Sequence, residues 1–370
     1  MSQITRVQFG AVEYDGGRGP VQLGSLRFRR AVLVARVEAE GGARGLGVIW
    51  SVLESDASYA EAASTLFAEA LTGLDALAAY EIAARCQSLG AAAGMSLAAC
   101  ALELAIWDLA GHLWKVPTAV LLGRKRTSIP AYVVSSEEFG FEHVEQYLDL
   151  LEGHVRDGFR AFKLHLWGDA RRDIDACARI RDAFGSGITF MLDPISRYRR
   201  NEALQVGRAL EDLAFTRLED PISPLDHAGY EWLASRLNVP VVVNESQGWS
   251  LSECDRATRG GVVQGLRFNP LRTGIVAWAN FAAVAQANQA ELDISSFAPR
   301  GGVEACLSLA LAGATTRWFE HHTTCGLGEV PGLRSGVVFN AGVASGSGRP
   351  GLGFDVDWAE LDRHTHWFSR

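Results

Sequence analysis

Asp193, Glu219 and Glu245 stand 26 residues apart, and each closes a short apolar run. The runs are Ile188-Thr189-Phe190-Met191-Leu192, Phe215-Thr216-Arg217-Leu218 and Val241-Val242-Val243-Asn244. A period of that size holds one strand, one helix and two loops. Successive units of a parallel barrel would set each carboxylate at the same end of adjacent strands. That end is the C-terminal face, where such barrels keep their chemistry. Three carboxylates converging there repel one another unless a cation joins them. Ligands that are all oxygen favour a hard ion, Mg²⁺ before Ca²⁺.

The repeat extends beyond these three units. Candidate strands are 131–135, 161–167, 188–193, 215–219, 241–245, 262–268, 292–297 and 316–320, with helical stretches such as 142–156 and 170–184 between them. Eight strands alternating with helices predict an α/β fold, a (β/α)₈ barrel of the TIM type, over an open sheet. No glycine-rich dinucleotide fingerprint follows the first strand, which counts against a Rossmann fold. At 370 residues the chain exceeds what a barrel alone needs. The excess lies mostly ahead of it. Residues 32–50 read as a hairpin, 14–20 as a Gly-rich loop, and 58–122 as Ala- and Leu-rich helices. Residues 326–353 are Gly-rich and are expected to fold back on the N-terminal region.

The net charge of −8, without a basic stripe, argues against a nucleic-acid partner. Six scattered cysteines form no CxxC pair, so neither zinc nor a disulfide framework is indicated. The apolar stretch near 91–111 contains Glu103 and Asp108 and reads as a buried helix, not a membrane span. The first residues have no basic-then-apolar leader pattern. A cytoplasmic location and no membrane partner are the expectations.

Two further side chains mark the chemistry. In Phe162-Lys163-Leu164-His165-Leu166, alternation places the apolar set on one face and Lys163 and His165 on the other. Facing the barrel interior, Lys163 needs a reason to be buried. Either it binds an anionic group while His165 moves a proton, or both pair structurally with the neighbouring acids.

These features together resemble the mandelate racemase/muconate lactonizing enzyme branch of the enolase superfamily. The likeness runs along nearly the whole chain. Residues 32–50 look like that family's opening hairpin. Ala101-Leu102-Glu103-Leu104-Ala105-Ile106-Trp107-Asp108-Leu109-Ala110-Gly111, followed by Pro117 and Leu121-Leu122-Gly123, is similar to its Ala-rich helix and Leu-Leu-Gly ending. Asp193, Glu219-Asp220-Pro221 and Glu245 match its three metal ligands, and Glu320 matches its eighth-strand acid. The resemblance implies a capping domain over residues 1–127, a barrel over 128–325 and a C-terminal segment, 326–370, packed back on the cap. It also implies a homo-oligomer, Mg²⁺, and a small-molecule carboxylate whose α-proton is removed through an enediolate. Lys163, His165 and Glu320 would be the catalytic residues.

The chain departs from the family pattern in ways that bear on the reaction. Lys163-x-His165 replaces a frequent Lys-x-Lys. Asn269 stands where relatives carry an Asp or Lys, and Phe297 where the racemases carry a His. Neither exchanges a proton near neutral pH, so a two-base racemase is not expected. A one-sided base, His165, suits β-elimination from a sugar acid or other hydroxy acid. A cycloisomerase or epimerase is the alternative, as is a non-catalytic member that binds a carboxylate. His321 and His322 are candidate replacements for the missing histidine. Tyr14, Arg18, Trp50, Asn269, Phe297 and Arg300 are the candidate substrate contacts.

Overall fold

The computed structural model describes residues 2–13, 21–23, 26–28, 31–51, 56–135, 141–243, 249–322 and 330–368. Tyr14, Arg18 and Glu245 lie outside them. The N-terminal part forms strands β1 (Ile4–Glu13), β2 (Ala31–Ala39) and β3 (Arg44–Ser51), then helices α1 (Asp56–Leu71), α2 (Ala79–Ala93) and α3 (Ser96–Trp114). β2 lies between β1 and β3 in an antiparallel sheet. Its turn into β3 uses left-handed Gly41 and Gly42, at φ 80° and 82°.

Helix α3 is long and apolar enough by composition to cross a bilayer, but its residues from Ala98 to Gly111 are all buried within the fold. It packs directly on β3, where Gly45 and Gly47 face it. A Cβ added at Gly47 would sit 1.8 Å from the Ala101 carbonyl oxygen, and one at Gly45 would sit 2.1 Å from that of Ala105. The small residues on both sides let two backbones touch.

The barrel strands are β4 (Ser128–Val134), β5 (Ala161–Leu164), β6 (Thr189–Leu192), β7 (Arg217–Glu219), β8 (Val241–Val243), β9 (Gly265–Phe268), β10 (Glu291–Ile294) and β11 (Phe319–His322). Each pairs in parallel with the next, and β11 pairs with β4 to close the ring. The helices between them are α4 (Val144–Arg156), α5 (Ala170–Phe184), α6 (Arg200–Asp212), α7 (His227–Ala234), α8 (Leu251–Arg259), α9 (Pro270–Ala287) and α10 (Gly302–Ala312). Several strands are shorter than the sequence pattern suggests, because the hydrogen-bonded ladders are short: 161–167 ends at Leu164 and 292–297 at Ile294, while 215–219 begins at Arg217, 262–268 at Gly265 and 316–320 at Phe319. His165 and Asp193 lie just past the ladder ends, although the Asp193 amide still donates to the Leu164 carbonyl at 2.9 Å. The eighth strand instead runs on to His322.

The tail serves both halves of the molecule. Strands β12 (Val337–Asn340) and β13 (Val343–Gly346) form a hairpin whose second strand pairs with β4 of the barrel. After helix α11 (Trp358–His364), strand β14 (Thr365–Phe368) pairs antiparallel with β1. The expected return to the N-terminal sheet is made by this last strand, while the hairpin extends the barrel.

A second tie runs from α3 to the barrel. Helix α9 breaks at Gly274, which takes φ 79°. The amide of Val276 beyond the break donates to Glu103 Oε1 at 2.5 Å, and Gln87 Nε2 donates to Oε2 at 2.5 Å. Glu103 thus caps the second part of α9 in the manner of an N-cap carboxylate.

Two outcomes follow from this packing. Gly47→Ala should lower stability by about 3 kcal/mol, as overpacking against backbone requires, measured by urea unfolding. Burial pushes the Glu103 carboxyl up to about 7 from an ordinary 4.5, against hydrogen bonds that lower it. A raised acid favours its protonated form in the fold, so its contribution is complete below pH 4.5 and is lost as pH rises through 7. Wild type should therefore lose stability across that window, and Glu103→Gln should lose less in the same urea experiment.

Candidate active site

Barrel interiors are filled by layers of four side chains from alternate strands. Here one such layer is charged. β5 supplies Lys163, β7 Glu219, β9 Arg267 and β11 Glu320, all buried. The signs alternate around the ring. Lys163 Nζ lies 3.0 Å from Glu219 Oε1 and 2.9 Å from Glu320 Oε1. Arg267 Nε lies 3.1 Å from the same Glu219 oxygen, and its Nη2 2.8 Å from the same Glu320 oxygen. Tyr132 on β4 donates its hydroxyl to Glu320 Oε1 at 3.0 Å and accepts from Arg267. A second buried pair, Arg217 with Asp293, lies one residue pair lower on β7 and β10, and Arg217 also meets Glu291 at 3.3 Å.

The ring is neutral as a whole, and that explains how it survives burial. Burial and Arg267 oppose the charge on Lys163, yet Glu219 and Glu320 hold its pKa well above the ordinary value. Burial opposes the charge on Glu320 too, but Arg267, Lys163 and His322 hold it well below the ordinary carboxylate range. Glu219 behaves differently. Burial pushes it up to about 7 despite Arg267 and Lys163, and Asp193 adds to the rise. Among the described residues its Oε2 is buried without a hydrogen-bond partner.

Above the ring, Asp193 Oδ2 lies 3.1 Å from His165 Nε2 and 3.4 Å from Lys163 Nζ. Burial raises the Asp193 pKa, but Lys163 and His165 outweigh it, and the net direction is downward. Its Oδ1 accepts from the Ile195 amide at 2.9 Å. Ile195 and Ser196 take left-handed φ values of 51° and 57°, and Asp220, after Glu219, takes 40°. Such conformations cost roughly 1–2 kcal/mol per non-glycine residue. The Ser196 amide donating to the Asp220 carbonyl at 2.7 Å ties the two strained loops together. Strain of this kind concentrates at functional sites.

The opposite wall is built otherwise. Asn269 is buried and spends its Oδ1 on the Leu271 amide, 2.9 Å away, at the start of α9. Phe297 is 43% exposed; its ring lies 6.1 Å from Trp50 of β3 and 5.5 Å from His322. The cap therefore reaches the barrel mouth through Trp50. Arg300 is directed at the tail, with Nη1 3.5 Å from the Leu333 carbonyl. His321 and His322 point opposite ways. His321 packs 3.9 Å from the Phe339 ring, and burial pushes it down to about 4. His322 turns inward, with Nε2 3.0 Å from Glu320 Oε2.

Thus Lys163, His165, Asp193, Glu219 and Glu320 come together as the sequence suggests. Arg267 and Tyr132 were missed. An arginine within Gly265-Leu266-Arg267-Phe268, in phase with Asn269, was the available signal.

A hard cation fits this site. Asp193 and Glu219 offer only oxygen, and among the described residues Glu219 keeps a buried oxygen without a hydrogen-bond partner. The described residues contain no complete metal-binding cluster by themselves, and Glu245, the third expected ligand, is not among them.

A carboxylate-lined barrel mouth, flanked by a buried lysine and a histidine and overhung by a cap, is the layout of a metal-assisted enzyme acting on carbon acids. Two family profiles match. One is the mandelate racemase/muconate lactonizing enzyme N-terminal domain, over residues 13–123, and the other the enolase C-terminal domain-like family, over 146–360. The chain belongs to the mandelate racemase/muconate lactonizing enzyme branch of the enolase superfamily. It is 26% identical to the L-talarate/galactarate dehydratase of Salmonella typhimurium, over 90% of this chain and 83% of that protein. It is 25% identical to the 3,6-anhydro-alpha-L-galactonate cycloisomerase of Streptomyces coelicolor, over 90% and 91%. The solved L-talarate dehydratase of Polaromonas sp. JS666, complexed with Mg and L-glucarate, matches in fold with a TM-score of 0.82 at 24% identity, over 100% of each chain.

The ring makes a direct stability prediction. Arg267→Met leaves two buried carboxylates facing one lysine and should destabilise the protein by about 3–5 kcal/mol. Arg267→Lys should recover part of that loss, read from urea midpoints of the three proteins.

Proposed function

We propose that the protein is a Mg²⁺-dependent dehydratase of a sugar acid or related hydroxy-carboxylate. The observation that carries this reading is the asymmetry of the mouth. Lys163 and His165 stand together on the β5 side, while Asn269 and Phe297 stand where a second base would be. Asp193 and Glu219, with Glu245, would hold the metal, and Mg²⁺ there would supply positive charge to the substrate carboxylate as its α-proton leaves.

The chain's own groups do the rest. Lys163, held cationic by Glu219 and Glu320, adds a fixed positive charge where the enediolate oxygens develop theirs. His165 takes the α-proton. With Nε2 donating to Asp193 Oδ2, a neutral His165 carries its lone pair on Nδ1. Glu320 keeps the Lys163 ammonium in place. Trp50 of the cap meets Phe297 of the barrel at the mouth, their rings 6.1 Å apart, and the pair gives this side an apolar wall. Similarity to a dehydratase along 90% of this chain supports the reaction class. Similarity to a cycloisomerase over the same share makes intramolecular addition to the enediolate the second reading.

The two are separated by following galactarate, L-talarate and a wider sugar-acid panel by NMR in D₂O with Mg²⁺. A 2-keto acid product is expected. Deuterium uptake or a cyclic isomer without keto acid would favour the cycloisomerase, and no exchange across the panel would sink both. His165→Asn should lower α-proton exchange by roughly 10²–10⁴-fold, the range for a general base, and leave Mg²⁺ affinity by calorimetry within a few-fold.

A further inference from the structure

His165 stands one residue past the end of β5, and side chains hold its backbone there. Its amide donates to Ser135 Oγ at 3.3 Å, and the Ser135 amide donates to the Lys163 carbonyl at 2.9 Å. Its carbonyl accepts from the Tyr147 hydroxyl at 2.6 Å. Tyr147 is a buried residue of α4. Its ring meets Phe141 and Trp167 edge-on, with centroids 4.8 and 5.6 Å away.

The residues after His165 are held from α5. Asp173, in the first turn of that helix, is fully buried. Its Oδ1 accepts from the Trp167 amide at 3.1 Å, and its Oδ2 from the Gly168 amide at 2.9 Å. The Tyr198 hydroxyl donates to the same Oδ2 at 2.6 Å. Tyr198 belongs to the loop that begins at Asp193, and its amide donates to the Pro221 carbonyl at 3.2 Å, in the loop after Glu219. The two sides also touch directly. Arg197 Nη1 donates to the Trp167 carbonyl at 3.2 Å, and a Cβ added at Gly168 would come within 2.4 Å of Arg197 Cδ. One carboxylate therefore joins the loop of the base to the loop of a metal ligand. Burying it is costly: burial pushes the Asp173 carboxyl up, and the three hydrogen bonds act against that rise. Capping of α5 does not require it, because Asp169 accepts from the Arg172 amide at 3.0 Å and serves as the N-cap.

We propose that Tyr147 and Asp173 are positioning residues for the base, a clasp that keeps the His165 imidazole against Asp193. This role rests on the assignment of His165 as the base in the reading above. His165 Nε2 lies 3.1 Å from Asp193 Oδ2, and an ionised carboxylate only accepts, so Nε2 carries the proton. That contact joins two loops and keeps its length only while the loops keep their spacing. Tyr147 sets the height of the His165 backbone, and Asp173, through Tyr198, sets the spacing. Misplacing such a group by about 1 Å can cost roughly 10²-fold in rate.

The test uses Tyr147→Phe, Asp173→Asn and Tyr198→Phe; the last weakens the same tie and leaves the buried carboxylate in place. With Mg²⁺ in D₂O, α-deuterium exchange and keto-acid formation are followed on whichever panel member the wild type turns over. Each variant should lower kcat by roughly 10–10²-fold and leave KM and Mg²⁺ affinity within a few-fold. Unchanged kcat in the folded variants would overturn the role. So would a parallel loss of Mg²⁺ affinity and rise in KM, which marks a general disturbance of the site. A second readout needs no turnover. In the metal-free wild type the His165 Nε2 proton, assigned by its loss in His165→Asn, should give a slowly exchanging ¹H–¹⁵N resonance that the variants broaden or lose. The same resonance unaltered in all three variants would overturn the clasp whatever the activity. A wild type that neither exchanges nor dehydrates, with variants that lose the resonance, would sink the dehydratase reading and leave the clasp.

Discussion

Four buried charges of alternating sign hold the centre of this molecule. Lys163 and Arg267 each touch Glu219 and Glu320, so every member of the ring has two opposite neighbours. Taking such groups out of water costs several kcal/mol each, and only mutual pairing offsets that. The consequence is geometric as much as energetic. Both cations approach Glu219 through Oε1, which turns Oε2 away from them. The ring therefore leaves one oxygen of one carboxylate without a hydrogen-bond partner among the described residues. A site for a hard metal and a fixed ammonium next to it arise from a single packing solution.

The scaffolding follows from the need to hold that layer. Arg217 and Asp293 extend charge pairing one level down, where an apolar barrel would place Val or Leu. Asp193 and Asp220 lie in loops whose left-handed residues are tied to each other by the Ser196 amide donating to the Asp220 carbonyl. The cap is fastened twice, by the tail strand β14 pairing with β1 and by Glu103 capping the broken helix α9. Because α9 starts at Asn269, the second fastening also fixes the inert side of the mouth.

Much of this could be read in the chain. The 26-residue period gave strand ends, and period-two alternation gave the inward direction of Lys163 and His165. The helix Ala170–Phe184 needed only its apolar face and its flanking turns. What was not legible has a common cause. Arg267 looks like any strand arginine until closure of the barrel brings β9 opposite β5. Tyr132 and Glu103 find their partners 188 and 173 residues away, and no local pattern encodes such pairings. The meeting of Trp50 with Phe297 depends on how the cap sits over the barrel. His321 and His322 are equivalent in composition, and only the register of β11 with β4 separates the stacked one from the inward one. Strand ends were overextended because apolar runs continue past the last ladder bond.

The claim on which the rest depends is that the ring leaves Glu219 able to accept a divalent ion. Titrating Mn²⁺ into the metal-free protein, followed by electron paramagnetic resonance, tests it most directly. The account predicts a single tightly held ion per chain that Mg²⁺ displaces and that is lost in Glu219→Gln while the fold persists. Unaltered tight binding in Glu219→Gln, or no tight site in the wild type, would contradict it.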